Sequence, residues 1–265
     1  MIKLLKLDFK RAIYNKQFII ITLIGILISM LHLWENVFQY ADNYSADAYV
    51  SPFTRWMSND CFNVYSIIFF IALPVLATVP YSDSYWIDKN SGFIKNLLTR
   101  VKKSDYFISK YITSFIIGGI SVIIPLIFNL YILFMTLPSV NPTIFSKLEP
   151  IRNMIQNWYY FHPYMYILAY LFMTFMFGGV YASIGLAVST FCKNKFFVMA
   201  IPTLAYILMF ILDIIDCSQL IPVKFLTAGQ INLHINMTSI IVIFIILFII
   251  SLILYWVGVN KNEVI

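Results

Sequence analysis

The chain has 265 residues, of which 61% are hydrophobic and only 11% charged, with a formal net charge of +6. So little polar surface cannot enclose the long apolar runs it carries, which excludes a soluble globular protein. Its basic residues are dispersed over short loops instead of sharing one aromatic-interleaved face, which excludes a nucleic-acid binder.

Six apolar stretches are predicted as membrane spans, at 17–34, 61–80, 111–135, 165–191, 196–212 and 239–259. Each approaches the ~20 residues a helix needs to cross ~30 Å of hydrocarbon. The expected fold is therefore all-α: a polytopic membrane protein with six transmembrane helices in one domain, 1–265.

Residues 1–16 precede the first span and read as an interfacial amphipathic helix. Ile2, Leu5, Phe9, Ala12 and Ile13 recur at helical spacing, with Lys3, Lys6 and Lys10 on the opposing side. A basic segment before an apolar run also describes a secretory signal. The residues that follow, His32, Leu33, Trp34 and Glu35, offer no small-residue cleavage site, so a retained first span is expected. Between spans one and two, Tyr40, Tyr44, Tyr49, Phe53 and Trp56 read as an aromatic belt, as do Trp158, Tyr159, Tyr160, Phe161 and Tyr164 before span four.

The loop 81–110 follows span two. Asn90, Ser91 and Gly92 predict a turn and a helix start, after which Ile94, Leu97, Leu98 and Val101 recur on one helix face. Ser104 and Asp105 are expected to cap the helix that becomes span three. In span four, Gly179, Ser183 and Ala187 form a small-residue face for close helix contact, inside the chain or between two copies. The segment 213–238, with Pro222 and Gly229 among Leu220, Ile221, Phe225 and Leu226, is too apolar for an ordinary loop and too broken for a span. Pro74, Pro125 and Pro202 are expected to kink their helices.

Most of the 18 basic residues flank one set of span ends; the exceptions are Arg55, Lys147, Arg152 and Lys224. The positive-inside bias therefore predicts both termini in the cytoplasm. No span carries a mid-membrane acid or base, and Ser121, Asn129, Thr174 and Ser183 are expected to bond neighbouring helices or their own i−4 carbonyls. Ion-coupled carriers and proton pumps need such ionisable groups, so these classes are disfavoured. A pore lacks its wet face, and no intramembrane protease constellation is present. Cys61, Cys192 and Cys217 lack paired spacing, and the three histidines, His32, His162 and His234, read as outer-side residues without a metal role. No Gly-Lys pair exists for a P-loop, so the chain is not expected to be an ATPase or any other enzyme.

The run from Asp88 through Gly92, Phe93, Ile94, Lys95, Leu97, Leu98 and Arg100 to a third span headed by Lys110, after a basic amphipathic N-terminus, resembles the permease subunits of type-2 ATP-binding-cassette (ABC) transporters. In that family an acidic residue, a Gly and Leu-Leu precede a Lys that opens the third helix. Here Asp88 stands where Glu is commoner and Phe93 where Thr is commoner. The resemblance implies that this loop is a coupling helix meeting a separate ATPase, with Phe9 and Arg11 of the N-terminal helix beside it. It further implies two permease subunits, as homodimer or related heterodimer, and two ATPase subunits. ATP and Mg would sit on those partners and no cofactor on this chain. It also implies that 213–238 dips back into the outer leaflet. The expected function is a permease subunit of an ATP-driven exporter of an amphipathic or hydrophobic solute (peptide, drug or lipid-like) in a bacterial plasma membrane. The alternative is a non-transporting sensor or scaffold that binds an ATPase. Membrane lipid is an expected partner and nucleic acid is not.

Overall fold

The computed structural model describes residues 1–39, 50–142, 154–214, 217–229 and 235–261, and every regular element among them is helical. Tyr40, Tyr44 and Tyr49 of the aromatic set, together with Lys147, Arg152 and His234, lie outside the described residues.

Helix α1 (Ile2–Ile13) leads into α2 (Lys16–Leu33), whose start is capped by the Asn15 side chain accepting from the Gln17 backbone N–H. One π-helical turn, Trp34–Phe38, continues α2. Then come α3 (Val64–Thr78), α4 (Ser84–Asn90), α5 (Phe93–Leu98), and α6 (Lys103–Thr136). Helices α7 (Gln156–Phe161), α8 (Pro163–Ser189), α9 (Lys195–Leu208), α10 (Pro222–Leu226) and α11 (Met237–Lys261) complete the chain.

Five helical stretches, Lys16–Phe38, Lys103–Thr136, Pro163–Ser189, Lys195–Asp213 and Met237–Lys261, are long and apolar enough to cross a bilayer. The chain is a transmembrane helical protein. The predicted second span, 61–80, is shorter than expected: α3 has 15 residues and covers ~23 Å. Asn63 caps its start, and Pro80, having no N–H, cannot extend the ladder beyond its end.

Helices α6 and α8 form the centre because glycines let their backbones meet. A Cβ on Gly179 would lie 2.8 Å from the Phe115 carbonyl, and one on Gly178 would lie 3.2 Å from the Gly118 carbonyl. Ser183 donates to its own i−4 carbonyl on Gly179, Thr174 does the same to Tyr170, and Ser121 reaches across to the Leu76 carbonyl of α3. Gly179, Ser183 and Ala187 are thus all buried within the chain. Around this centre α2, α9 and α11 present exposed apolar faces, including Leu23, Leu27, Phe196, Leu204, Ile246 and Ile253, as lipid-facing helices do. Pro74, Pro125 and Pro202 lie inside α3, α6 and α9.

At one end of the bundle, residues 50–60 are drawn inward. Phe53, Trp56 and Met57 are buried, Phe53 packs edge-on against Phe134 and Tyr164, and Ser58 accepts the Ala228 backbone N–H. Phe53, Trp56 and the buried Tyr159 are therefore interior side chains, not belt residues. Trp158, Phe161 and Tyr164 are exposed. The segment after α9 also packs inward: Pro222, Phe225, Leu226 and Ala228 are buried, with the Phe225 ring 5.0 Å from that of Phe177.

Candidate functional site

At the other end, which carries most of the basic side chains, α1 lies across the start of α6. The buried ridge of α1 is Leu4, Asp8 and Ala12, with Leu5 and Phe9 half-buried. Ile2 and Ile13, expected on its apolar side, are exposed instead, while Lys3, Lys6 and Lys10 are exposed as predicted. The reason is Asp8. A carboxylate occupies the centre of the buried ridge because α6 and the segment after α3 supply its partners.

Asp8 accepts from Tyr81 Oη at 2.9 Å and Ser109 Oγ at 2.6 Å, and the Lys110 ammonium lies 3.6 Å away. Lys110, with no exposed surface, also contacts Asp88 at 2.7 Å and donates to Tyr81 Oη at 3.1 Å. Asp88, equally buried, takes Arg11 through both guanidinium nitrogens, at 2.7 and 3.4 Å, and accepts from Tyr106 Oη at 2.8 Å. Two carboxylates thus face two cations, and every carboxylate oxygen has a partner. That balance is what makes burial tolerable, because an unpaired ion inside a protein is strongly destabilising. Lys110 also stands 4.9 Å from the centre of the Tyr81 ring, and Arg11 5.0 Å from that of Phe93.

Burial alone would raise the Asp88 carboxyl, but the hydrogen bond from Arg11 and the charge of Lys110 win and hold it below the usual carboxylate value. Burial, then the negative charge of Asp8, pushes the Tyr81 phenol well above its ordinary value. It therefore stays protonated as a donor to Asp8.

The turn that follows Asp88 depends on Gly92, whose φ of +72° is the left-handed conformation that L side chains avoid. It reverses the chain from α4 into α5. Ile94, Leu97 and Leu98 pack half-buried against the aromatic cluster of Tyr85, Tyr106, Phe107, Tyr111 and Tyr255. Lys95, Asn96, Thr99 and Arg100 point outward. Beyond α5, Ser104 and Asp105 do not cap α6: the helix begins at Lys103 with Lys102 in the capping position. Asp105 instead lies in the first turn, where a negative charge suits the helix dipole, 3.4 Å from the Met1 amino group.

Two further ties hold α4 to the α8–α9 connection. Trp86 donates its indole N–H to the Lys193 carbonyl at 2.8 Å, and Lys195 pairs with the buried Asp83 at 2.6 Å. Asn15 donates to the Pro80 carbonyl at 2.9 Å.

Of the residues singled out in the sequence, Phe9, Arg11, Asp88, Phe93, Ile94, Leu97 and Leu98 therefore converge on one unit, with Gly92 as its hinge and Lys95 and Arg100 on its outer face. Gly179 and Ser183 lie apart from it in the helix-packing centre, whereas Ala187 joins the aromatic cluster. Asp8, Tyr81, Tyr106 and Ser109 were not anticipated. The one signal for Asp8 is its position one helical turn from both Leu4 and Ala12 in a helix otherwise rich in Lys.

Among the described residues no group of His, Cys, Asp and Glu could hold a metal ion, and Cys61, Cys192 and Cys217 are free thiols. No family model, curated protein or solved structure matches this chain.

Proposed function

We propose that this chain is the permease subunit of an ATP-driven ABC exporter of the type-2 kind, in a bacterial plasma membrane with both termini in the cytoplasm. Its cargo class is an amphipathic or hydrophobic solute. The observation that carries the reading is the buried charge cluster. Arg11 and Asp8 of α1, Asp88 of α4 and Lys110 of α6 are bonded into one body that leaves the short basic helix α5 at its tip. A force on α5 reaches α6 through Asp88 and Lys110, and reaches α9 through Asp83, Lys195 and Trp86. No ATP-binding motif accompanies this arrangement in the sequence, so the motor is a pair of ATPase subunits that hold ATP and Mg. α3 serves as the short second of six spans, α10 dips into the outer leaflet, and two permease subunits form the pathway.

The outward side chains Lys95 and Arg100, not the half-buried Leu97 and Leu98, are the ones to vary. In mild detergent an ATPase should copurify with the wild-type chain and be lost from Lys95→Glu/Arg100→Glu. Retention of the ATPase by that double variant would remove the docking assignment. The alternative, a scaffold that binds an ATPase without transport, predicts ATPase binding but no ATP-dependent solute movement in proteoliposomes.

A further inference from the structure

At the end of the bundle opposite the charge cluster, two segments from different loops are joined. The Ala228 backbone N–H donates to the Ser58 carbonyl at 2.6 Å, and Ser58 Oγ donates to the Leu226 carbonyl at 3.4 Å. A Cβ on Gly229 would strike the Asn59 carbonyl, so the two backbones meet at a distance that only glycine permits. Asn59 donates in turn to the Phe53 carbonyl at 3.0 Å. Residues 50–60 and 222–229 are thus one bonded unit.

Helices α6 and α8 hold this unit from two sides. On α6, Asn129 Oδ1 accepts the Met57 backbone N–H at 3.1 Å, and the Phe134 ring meets that of Phe53 at 5.5 Å. On α8, the buried Tyr166 places Oη 3.2 Å from Asn59 Oδ1 and 3.0 Å from the Ala228 carbonyl. A hydroxyl has one hydrogen, so a single O–H is shared between one acceptor from each segment. The rings of Tyr159 and Tyr170, at 5.0 and 4.9 Å, fix where the Tyr166 ring stands.

Asn129 lies ~10 Å of helix before the end of α6 at Thr136, so irregular backbone reaches below the helix ends. In a membrane such backbone is tolerated where it is buried in protein or lines an aqueous cavity. Here it is buried, and two polar atoms are left without a hydrogen-bond partner: Trp56 Nε1 in the unit itself, and Ser29 Oγ on α2, whose carbonyl faces Asn129. Each unpaired group disfavours the closed arrangement, and water admitted by opening would satisfy it. A closure held against that cost by a few hydrogen bonds is built to open. We propose that residues 50–60 and 222–229 form a single gate at the outer end of the transport path, with Tyr166 as the bolt by which α8 holds both segments shut. This gate rests on the permease reading, and it is the part that must move for cargo to leave.

The full chain is reconstituted into phosphatidylcholine–phosphatidylglycerol liposomes loaded with a small self-quenching anionic dye. Tyr166→Phe keeps the ring and removes only the shared O–H, whereas Gly229→Ala drives the segments apart at Asn59. Wild-type liposomes should stay tight, and both variants should release dye without ATP about five- to tenfold faster, the weight of one hydrogen bond in the balance between open and closed. In detergent, in a Cys192→Ser/Cys217→Ser background, a soluble maleimide should label Cys61 correspondingly faster, since its Sγ lies 3.4 Å from the Cβ position of Gly229. Tight liposomes from both variants would overturn the gate. Faster labelling without leak would do the same, because it describes a cover and not the closure of a path. ATP-driven solute movement by the wild-type chain with its copurifying ATPase, alongside tight variants, removes the gate and leaves the permease reading. Leak from the variants where no ATPase copurifies leaves a gated path and removes its ATP-driven role. Where Gly229→Ala fails to fold, Tyr166→Phe still decides.

Discussion

Asp88 and Arg11 were legible as candidates only through the resemblance of their segments to type-2 permeases, and what Asp88 does is set by neighbours distant in sequence. Its depressed carboxyl makes stability depend on pH with a definite sign. The contribution is fully present above the unfolded carboxylate value of about 3.9 and is lost as pH falls through the lower folded value. Thermal unfolding in detergent should therefore show a steep acid limb below about pH 4. Asp88→Asn should flatten that limb and lower stability at neutral pH by about 3–5 kcal/mol, chiefly the cost of leaving the buried Lys110 without its closest anionic partner. Lys110→Met should be as damaging, because both Asp8 and Asp88 lose a buried cation. Asp8 itself escaped the periodicity argument for a physical reason. An amphipathic pattern scores a carboxylate as a solvent-facing residue, whereas here Tyr81, Ser109 and Lys110 replace the water.

At the scale of elements, two glycine effects separate. Gly92 has open space where a side chain would go, so Gly92→Ala carries only the backbone penalty of a left-handed residue, about 1–2 kcal/mol, and Gly92→Asn less. Gly92→Pro demands a negative φ and should break the α4–α5 turn outright. Gly179 is the reverse case: its φ is ordinary, but a side chain would strike the Phe115 backbone and ring. Gly179→Leu should therefore separate α6 from α8 and cost about 1–3 kcal/mol or more, measured as a lower midpoint of thermal unfolding. The α4–α5 turn was readable from Asn90, Ser91 and Gly92 because positive φ has a compositional signature. The true start of α6 was not, because Lys102 carries no capping side chain and Ser104 and Asp105 offered a misleading one.

For the whole molecule, the decisive measurement is sidedness, and the native thiols supply it. Cys192 lies between α8 and α9, next to the Lys193 that anchors Trp86, whereas Cys61 lies next to Asp60 at the opposite end. In intact cells a membrane-impermeant maleimide should label Cys61 and leave Cys192 unmodified until the membrane is permeabilised. Labelling of Cys61 will be slow at neutral pH, since burial and then the Asp60 charge push its thiol up. Labelling of Cys192 in intact cells would reverse the orientation.

Apolar runs near bilayer length, an excess of Lys and Arg around one set of ends and the absence of an ATP-binding motif are properties of the linear chain, since hydrocarbon solvation acts on each segment by itself. They made the protein an α-helical membrane protein before any contact was known. Which polar residues are buried, and with whom, belongs to the folded arrangement alone. Asp8 meets Lys110, His32 meets Asp60 and Asn129, and the loop 50–60 turns inward only when helices far apart in sequence supply the missing donors and acceptors. A buried polar group is stable or ruinous according to those partners, and no local pattern encodes them.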